Sequence, residues 1–210
     1  MTRTKKIGPL SIAYDDQVLE PRPWTVAQAG WAAELTDQIP SGPLVELCSG
    51  VGHIGLLAAA LTGRRAVLVD ASAAACGFAA ANAAAAGLGS RVEVRHGDLS
   101  ESLGPAERFP LVLADPPYIP TGDVAKFPED PFSAIDGGPD GLAVARLCLD
   151  VAARHLQPAG LVIVQLRDAE QAIALTEDPA PERGTLGVRE VRDVTGHGAL
   201  VLLELGPLGP

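Results

Sequence analysis

Lysine is almost missing from this chain. Only three of its 210 residues are lysine, at positions 5, 6 and 126, and the formal net charge is −10. Proteins that grip a phosphate backbone carry a basic face, and no basic stripe runs through this sequence, which disfavours a nucleic-acid partner. Cysteine is scarce as well. Cys48, Cys76 and Cys148 are odd in number, far apart in sequence and form no CxxC pair. That argues against a disulfide framework or a zinc site, so no metal is expected, and it fits a reducing cytoplasm. No apolar run approaches the roughly 18 residues a membrane span needs, and the basic start MTRTKKIGPL is followed by no signal-type apolar core.

What the chain has is apolar substance in a regular order. Hydrophobic residues make up 47% and charged residues 20%, a balance that builds a core. Short apolar runs at 43–50, 65–72, 91–98, 109–118 and 160–166 read as strands. Helical stretches stand between or before them at 21–35, 53–63, 72–89 and 141–156, with Thr25 a predicted N-cap. Strands alternating with helices predict an α/β, Rossmann-like fold with a mostly parallel sheet and helices on both faces. Two further runs at 185–194 and 197–205, with Thr195-Gly196 between them, add an antiparallel C-terminal hairpin and bring the sheet to seven strands. Proline and glycine gather in the segment from Pro117 to Gly141 and in TEDPAPERG (176–184). The first follows a strand's carboxyl end, where open α/β sheets bind ligands. A single domain is expected over 1–210, its residues 1–40 forming a segment and helix over the site and 41–210 the core.

GVGHIG (50–55) fits G-x-G-x-x-G between a predicted strand and a predicted helix. Gly50 suits the sharp turn, Gly52 a close backbone approach to a cofactor, and Gly55 tight helix packing. Asp70 lies 20 residues beyond Gly50, at a strand end where its carboxylate would accept from both ribose hydroxyls. NAD and S-adenosylmethionine both use this geometry. Glu46 and Cys48 before the loop, Ala71 after Asp70, Asp98 with Leu99 after the third strand, and Asp115 after the fourth complete the predicted cofactor set, Asp98 facing the adenine amino group.

Asp-Pro-Pro-Tyr (115–118) then ends the fourth strand on the same crevice, an order that favours amino-group methylation over hydride transfer. An amino nitrogen on an amide or heteroaromatic ring is planar and a poor nucleophile. Two acceptors, the Asp115 carboxylate and the Pro116 carbonyl, would hold its N–H bonds and aim its electron pair at a sulfonium methyl. The prolines limit where that carbonyl turns, and Tyr118 would stack on the flat acceptor group. In-line positioning lowers such a barrier by at best on the order of 7 to 11 kcal/mol, and the carboxylate stabilises charge developing on nitrogen. Pro117, Tyr118, Trp24 and Arg22 are the predicted acceptor-side residues, Arg22 serving either a cofactor carboxylate or the loop itself. His53 reads as a helix-start residue, because methyl transfer needs no strong base. Trp31 reads as core, and Cys48 and Cys76 as small packing residues.

These residues resemble the HemK/PrmC family, the protein-glutamine N5-methyltransferases that modify peptide chain release factors, over roughly residues 17 to 166. VLEPRPWT (18–25) looks like its VLIPRPET, VELCSGVGHIGL like its VLDLGTGSGAIAL, DPPYIP like NPPYIP, and DPFSAIDGGPDGL (130–142) like EPxxALxGGxDGL. The resemblance implies a class I methyltransferase fold, S-adenosylmethionine as cofactor and a protein glutamine as first-choice acceptor. The departures are Asp115 for Asn, Trp24 for an acid, Gln165 for a glutamate, Cys48 for a glycine, and no N-terminal helical domain. Shorter relatives without that domain work with a small zinc-binding partner, so a small activator subunit or a homodimer enters as an expected partner. The rival acceptors are a small-molecule amine or amide and an adenine base, and the rival class is a cofactor-binding partner protein without turnover.

Overall fold

The opening residues form a hairpin that their polar sequence does not announce: β1 (Arg3–Ile7) pairs antiparallel with β2 (Leu10–Tyr14). The structure is a computed structural model that describes residues 1–177 and 186–206. After the hairpin come α1 (Val26–Leu35), β3 (Leu44–Leu47), α2 (His53–Thr62), β4 (Ala66–Asp70), α3 (Ala73–Ala85), β5 (Val92–His96) and β6 (Phe109–Ala114). The second half holds α4 (Phe132–Ile135), α5 (Ala143–His155), β7 (Leu156–Leu166), α6 (Ala169–Glu177), β8 (Leu186–Asp193) and β9 (Ala199–Leu205). The main sheet has seven strands in the order β5-β4-β3-β6-β7-β9-β8. Its first five are parallel, and β9 lies antiparallel between β7 and β8.

Period-two alternation sorts the strand side chains into two cores. Leu44, Leu68, Leu111, Leu113, Leu161 and Ile163 face α1, α2 and α3. Their neighbours Val45, Val67, Val112, Val162 and Val164 face α5 and α6. The hairpin belongs to the first core through Ile7, Ile12 and Tyr14. Asn82 of α3 fastens it, accepting from Ala13 N–H at 2.8 Å and donating to the Ala13 carbonyl at 3.1 Å. The same amide donates to the Val51 carbonyl at 3.0 Å, so hairpin and glycine loop share one anchor.

Three expectations change. Thr25 precedes α1 but caps nothing: its hydroxyl donates to the Arg22 carbonyl at 2.6 Å, closing a 3-10 turn over Pro23–Thr25. The fifth parallel strand is longer than read, starting at Leu156 directly after α5. The fourth ends at Ala114, so Asp115 already stands outside it. Most of TEDPAPERG lies outside the described residues.

Glu46 decides how closely α2 can approach. It is wholly buried on β3 and its Oε2 accepts from Gly55 N–H of α2 at 2.9 Å. A Cβ on Gly55 would stand 2.4 Å from that oxygen and 2.5 Å from Leu68 Cδ2. Gly55→Ala is therefore expected to destabilise the protein by about 1–3 kcal/mol through overpacking, read as a lowered urea midpoint. An unchanged midpoint would show that α2 is free to shift.

Candidate active site

Four strand exits converge on one cavity of about 510 Å³ at the carboxyl edge of the sheet. From β3 come Glu46, Cys48, Ser49 and Gly50; from β4, Asp70, Ala71 and Ser72; from β5, Asp98 and Leu99; and from β6, Asp115 and Pro117. The remaining wall includes Gln17 to Glu20, Arg22, His53, Pro131, Ser133 and Ala134 from the segment after Tyr118, and apolar side chains of α2, α3 and α5.

The turn after β3 is built on left-handed backbone, with φ of 57° at Cys48, 53° at Gly50 and 80° at Gly52. Glycine takes such angles without strain, whereas Cys48 does so against its Cβ. Asp70 ties the turn to the next loop, accepting from Gly50 N–H at 2.7 Å and from Ser72 N–H at 2.8 Å. A carboxylate offers about four lone-pair sites, so two stay open toward the cavity. Asp98 accepts from the Ser100 backbone N–H at 2.8 Å and from its hydroxyl. Those two hydrogen bonds, the hydroxyl's first, hold its carboxyl below the ordinary range.

Burial drives Asp115, Glu46 and His53 toward their neutral forms. Desolvation pushes Asp115 up to about 7, and its carboxylate has no hydrogen-bond partner among the described residues. Glu46 is raised well above its ordinary value, first by burial and then by the nearby Asp115 and Asp70 charges, against the Gly55 N–H. Desolvation lowers His53 to about 4, leaving a neutral imidazole. Glu46 Oε1, the Ser49 hydroxyl and both ring nitrogens of His53 are shut from solvent without any protein partner. Buried polar atoms are nearly always satisfied, so this trio on one wall of the cavity fits a ligand with polar groups at that end.

Not every expected residue lines the cavity. Gly52 is packed away, its missing Cβ facing Leu68 Cδ1 at 2.9 Å and Ala79; it serves helix packing rather than close approach to a ligand. Pro116 is buried behind Asp115. Tyr118 lies outside the lining, close enough to Asp115, Arg22 and Asp130 for their charges to act on its hydroxyl, which burial raises first. Trp24 departs furthest from expectation. With Thr25 turned inward, the indole stacks on His197 of the β8–β9 turn, centroids 4.2 Å apart and planes within 2°. Arg22 reaches the cavity wall, but its guanidinium pins the Pro117–Gly141 segment through two bonds to Asp130, 2.7 and 2.6 Å long.

Sequence reasoning passed over Gln28. It is fully buried in α1 and donates to the Ala114 carbonyl at 3.0 Å and the Ile163 carbonyl at 2.8 Å. It fixes the strand end from which Asp115 departs. A polar residue on the inner face of an apolar helix was the available signal. The cysteines also need correcting: although far apart in sequence, Cys48 and Cys148 bring their sulfurs to 3.7 Å. No helix among the described residues is long and apolar enough to cross a membrane.

A seven-stranded sheet of this order, with a glycine turn, an acid after the second parallel strand and DPPY after the fourth, defines the S-adenosylmethionine-dependent methyltransferases. Residues 31–127 match the family Methyltransferase small domain. The chain is 35% identical over 199 residues to release factor glutamine methyltransferase of Gloeobacter violaceus, covering 92% of this chain and 69% of that one. It is 33% identical to ribosomal protein uL3 glutamine methyltransferase of Burkholderia pseudomallei, covering 72% of this chain and 54% of that one. An RNA methyltransferase from Salinibacter ruber, solved with S-adenosyl-L-homocysteine, shares the fold at a TM-score of 0.60 and 21% identity, over 92% of this chain and 97% of that one. The chain belongs to the release factor glutamine methyltransferase family. It is accordingly an N-methyltransferase with S-adenosylmethionine as cofactor.

Asp115 binds its proton more tightly in the folded chain, near 7, than an ordinary carboxyl does at 3.8. Between those values the folded state holds more protons, so this group's contribution to stability falls as pH rises through that window. Asp115→Asn is expected to flatten that part of the profile, read from urea midpoints between about pH 4 and 8. Equal slopes in both proteins would exclude a buried, unpaired carboxyl.

Proposed function

We propose that this chain methylates the side-chain amide nitrogen of a glutamine in a protein. The observation that carries the reading is the Asp115 carboxylate, open to the cavity without a protein partner at the start of Asp-Pro-Pro-Tyr. The cofactor supplies an electrophilic methyl on its sulfonium. In this reading Asp70 accepts from the ribose hydroxyls, and Ala71, Asp98 and Leu99 surround the adenine. Gly50 gives the backbone room, while Glu46, Ser49 and His53 meet the polar amino-acid end.

Asp115 Oδ and the Pro116 carbonyl take the two N–H bonds of the acceptor amide, which turns the nitrogen out of conjugation and aims its electron pair along the transfer line. Tyr118 and Pro117 flank the amide plane. Charge developing on nitrogen is stabilised by the ionised carboxylate in a site of low polarity. A group titrating near neutrality is also matched to receiving the proton that the methylated nitrogen sheds. Arg22 contributes by holding the Pro117–Gly141 segment against this edge rather than by touching the amide. Trp24 is assigned no role in the acceptor site.

A protein acceptor is supported by the substrates named for the two relatives, a release factor and a ribosomal protein. A metabolite amine or amide is the second reading, favoured by Asp115 standing where the family has Asn. The net charge of −10 weighs against nucleic acid. Incubation with methyl-labelled S-adenosylmethionine and a cell extract, followed by fractionation, is expected to place the label in protein. Label confined to nucleic acid or to small molecules would overturn the reading. Asp115→Ala is expected to bind S-adenosylhomocysteine normally and lose about 10²–10³-fold in transfer; transfer at the wild-type rate would remove the clamp.

A further inference from the structure

Two thiols meet at the floor of the cavity. Cys48 lines it directly, on the left-handed turn between β3 and Gly50, with φ of 57°. Cys148 comes from α5 on the opposite side and is 1% exposed. Their sulfurs are 3.7 Å apart. The third cysteine, Cys76, has only carbonyl neighbours for its sulfur, those of Asp70 and Arg95 at 3.5 and 3.7 Å.

We infer that Cys48 and Cys148 form a reversible disulfide under hydroperoxide, and that this disulfide weakens binding of the cofactor in the cavity. The effect on the cofactor rests on the reading of the cavity given above; formation of the bond does not. Cys48 reacts first because it faces the cavity, whereas Cys148 is 1% exposed. The Cys48 sulfur attacks one peroxide oxygen, the O–O bond breaks, and the first water leaves as Cys48 becomes a sulfenic acid. The Cys148 sulfur then attacks the Cys48 sulfur. An S–S bond forms, the S–O bond breaks, and the second water leaves with the remaining thiol proton. Two thiols have been oxidised by two electrons and one peroxide reduced to two waters.

Closing the pair from 3.7 Å to a bond of about 2.05 Å brings the two sulfurs together by roughly 1.7 Å, a change shared between side-chain rotation, the turn and α5. Two residues on, the Gly50 N–H to Asp70 bond is only 2.7 Å long, and it positions the carboxylate assigned to the ribose. Any share of the movement taken by the turn pulls on that bond and on the placement of the Asp70 carboxylate. A filled cavity, in turn, blocks the oxidant, so cofactor and disulfide oppose one another. Contact with Cys148, burial and the nearby acids hold the Cys48 thiol well up. Thiolate is the attacking form, so this pair responds slowly, to sustained rather than transient peroxide.

The full chain, reduced and then held in millimolar hydrogen peroxide for hours, tests this. The expected product is 2 Da lighter, yields a Cys48–Cys148 linked peptide, binds S-adenosylhomocysteine at least 10-fold more weakly by calorimetry, and recovers with a phosphine reductant. Saturating S-adenosylhomocysteine is expected to prevent the linkage. Cys148→Ala should bind it normally and keep that affinity through peroxide, and Cys76→Ala should behave as wild type. Sulfinic acids in place of the linked peptide, or a linked protein with unchanged affinity, would overturn the inference. Reduced protein that never binds S-adenosylhomocysteine would instead sink the functional reading, while the peptide map would still decide the disulfide. Should Cys148→Ala not fold, the wild-type map and affinity decide alone.

Discussion

A buried carboxyl holding one backbone N–H sets the distance on which the site depends. Glu46 and Gly55 bring α2 down onto β3, and the chain must cover the gap between strand end and helix start in five residues. Such a turn runs through left-handed backbone at Cys48, Gly50 and Gly52. That conformation points the Gly50 N–H at Asp70. A longer separation would permit an ordinary loop, and nothing would then aim the amide or fix the acid. The energetic expense of burying Glu46 is visible in its raised pKa, offset in part by the N–H it accepts.

The same logic governs the acids around the cavity. Asp98 is exposed and satisfied by Ser100, so it is readily ionised. Asp115 is half-buried and unpaired among the described residues, so desolvation holds it near the border between charge states. Two aspartates at different strand exits are thus suited to different tasks by their surroundings alone. His53 belongs to this pattern, since desolvation makes it a neutral hydrogen-bonding group rather than a cation.

Much of this was legible in the sequence, and the reasons are physical. The alternation of strands and helices, the 20-residue step from Gly50 to Asp70 and the DPPY exit are local patterns that chain geometry carries directly into space. The hairpin was not legible, because Lys5 and Lys6 mask a strand whose inner face rests on only Ile7, Ile12 and Tyr14. Trp24 was misplaced because its partner, His197, lies at the far end of the chain. Gln28 and the Cys48–Cys148 contact share that character: each is a meeting of distant segments with no spacing rule to announce it. Arg22 had two readings, and only the position of Asp130 chooses between them.

Trp24 on His197 joins stretches more than 170 positions apart, and Gln28 gathers carbonyls 86 and 135 positions away. The stretch from Trp24 to Gln28, next to the cavity residue Arg22, is thus fastened to segments far along the polypeptide. Long loops must close before these contacts give anything back. Loops of that length close late, so the Arg22 side of the cavity depends on contacts that form only after the distant segments have met. Competence to bind a ligand there doubles as a report that the whole chain has come together.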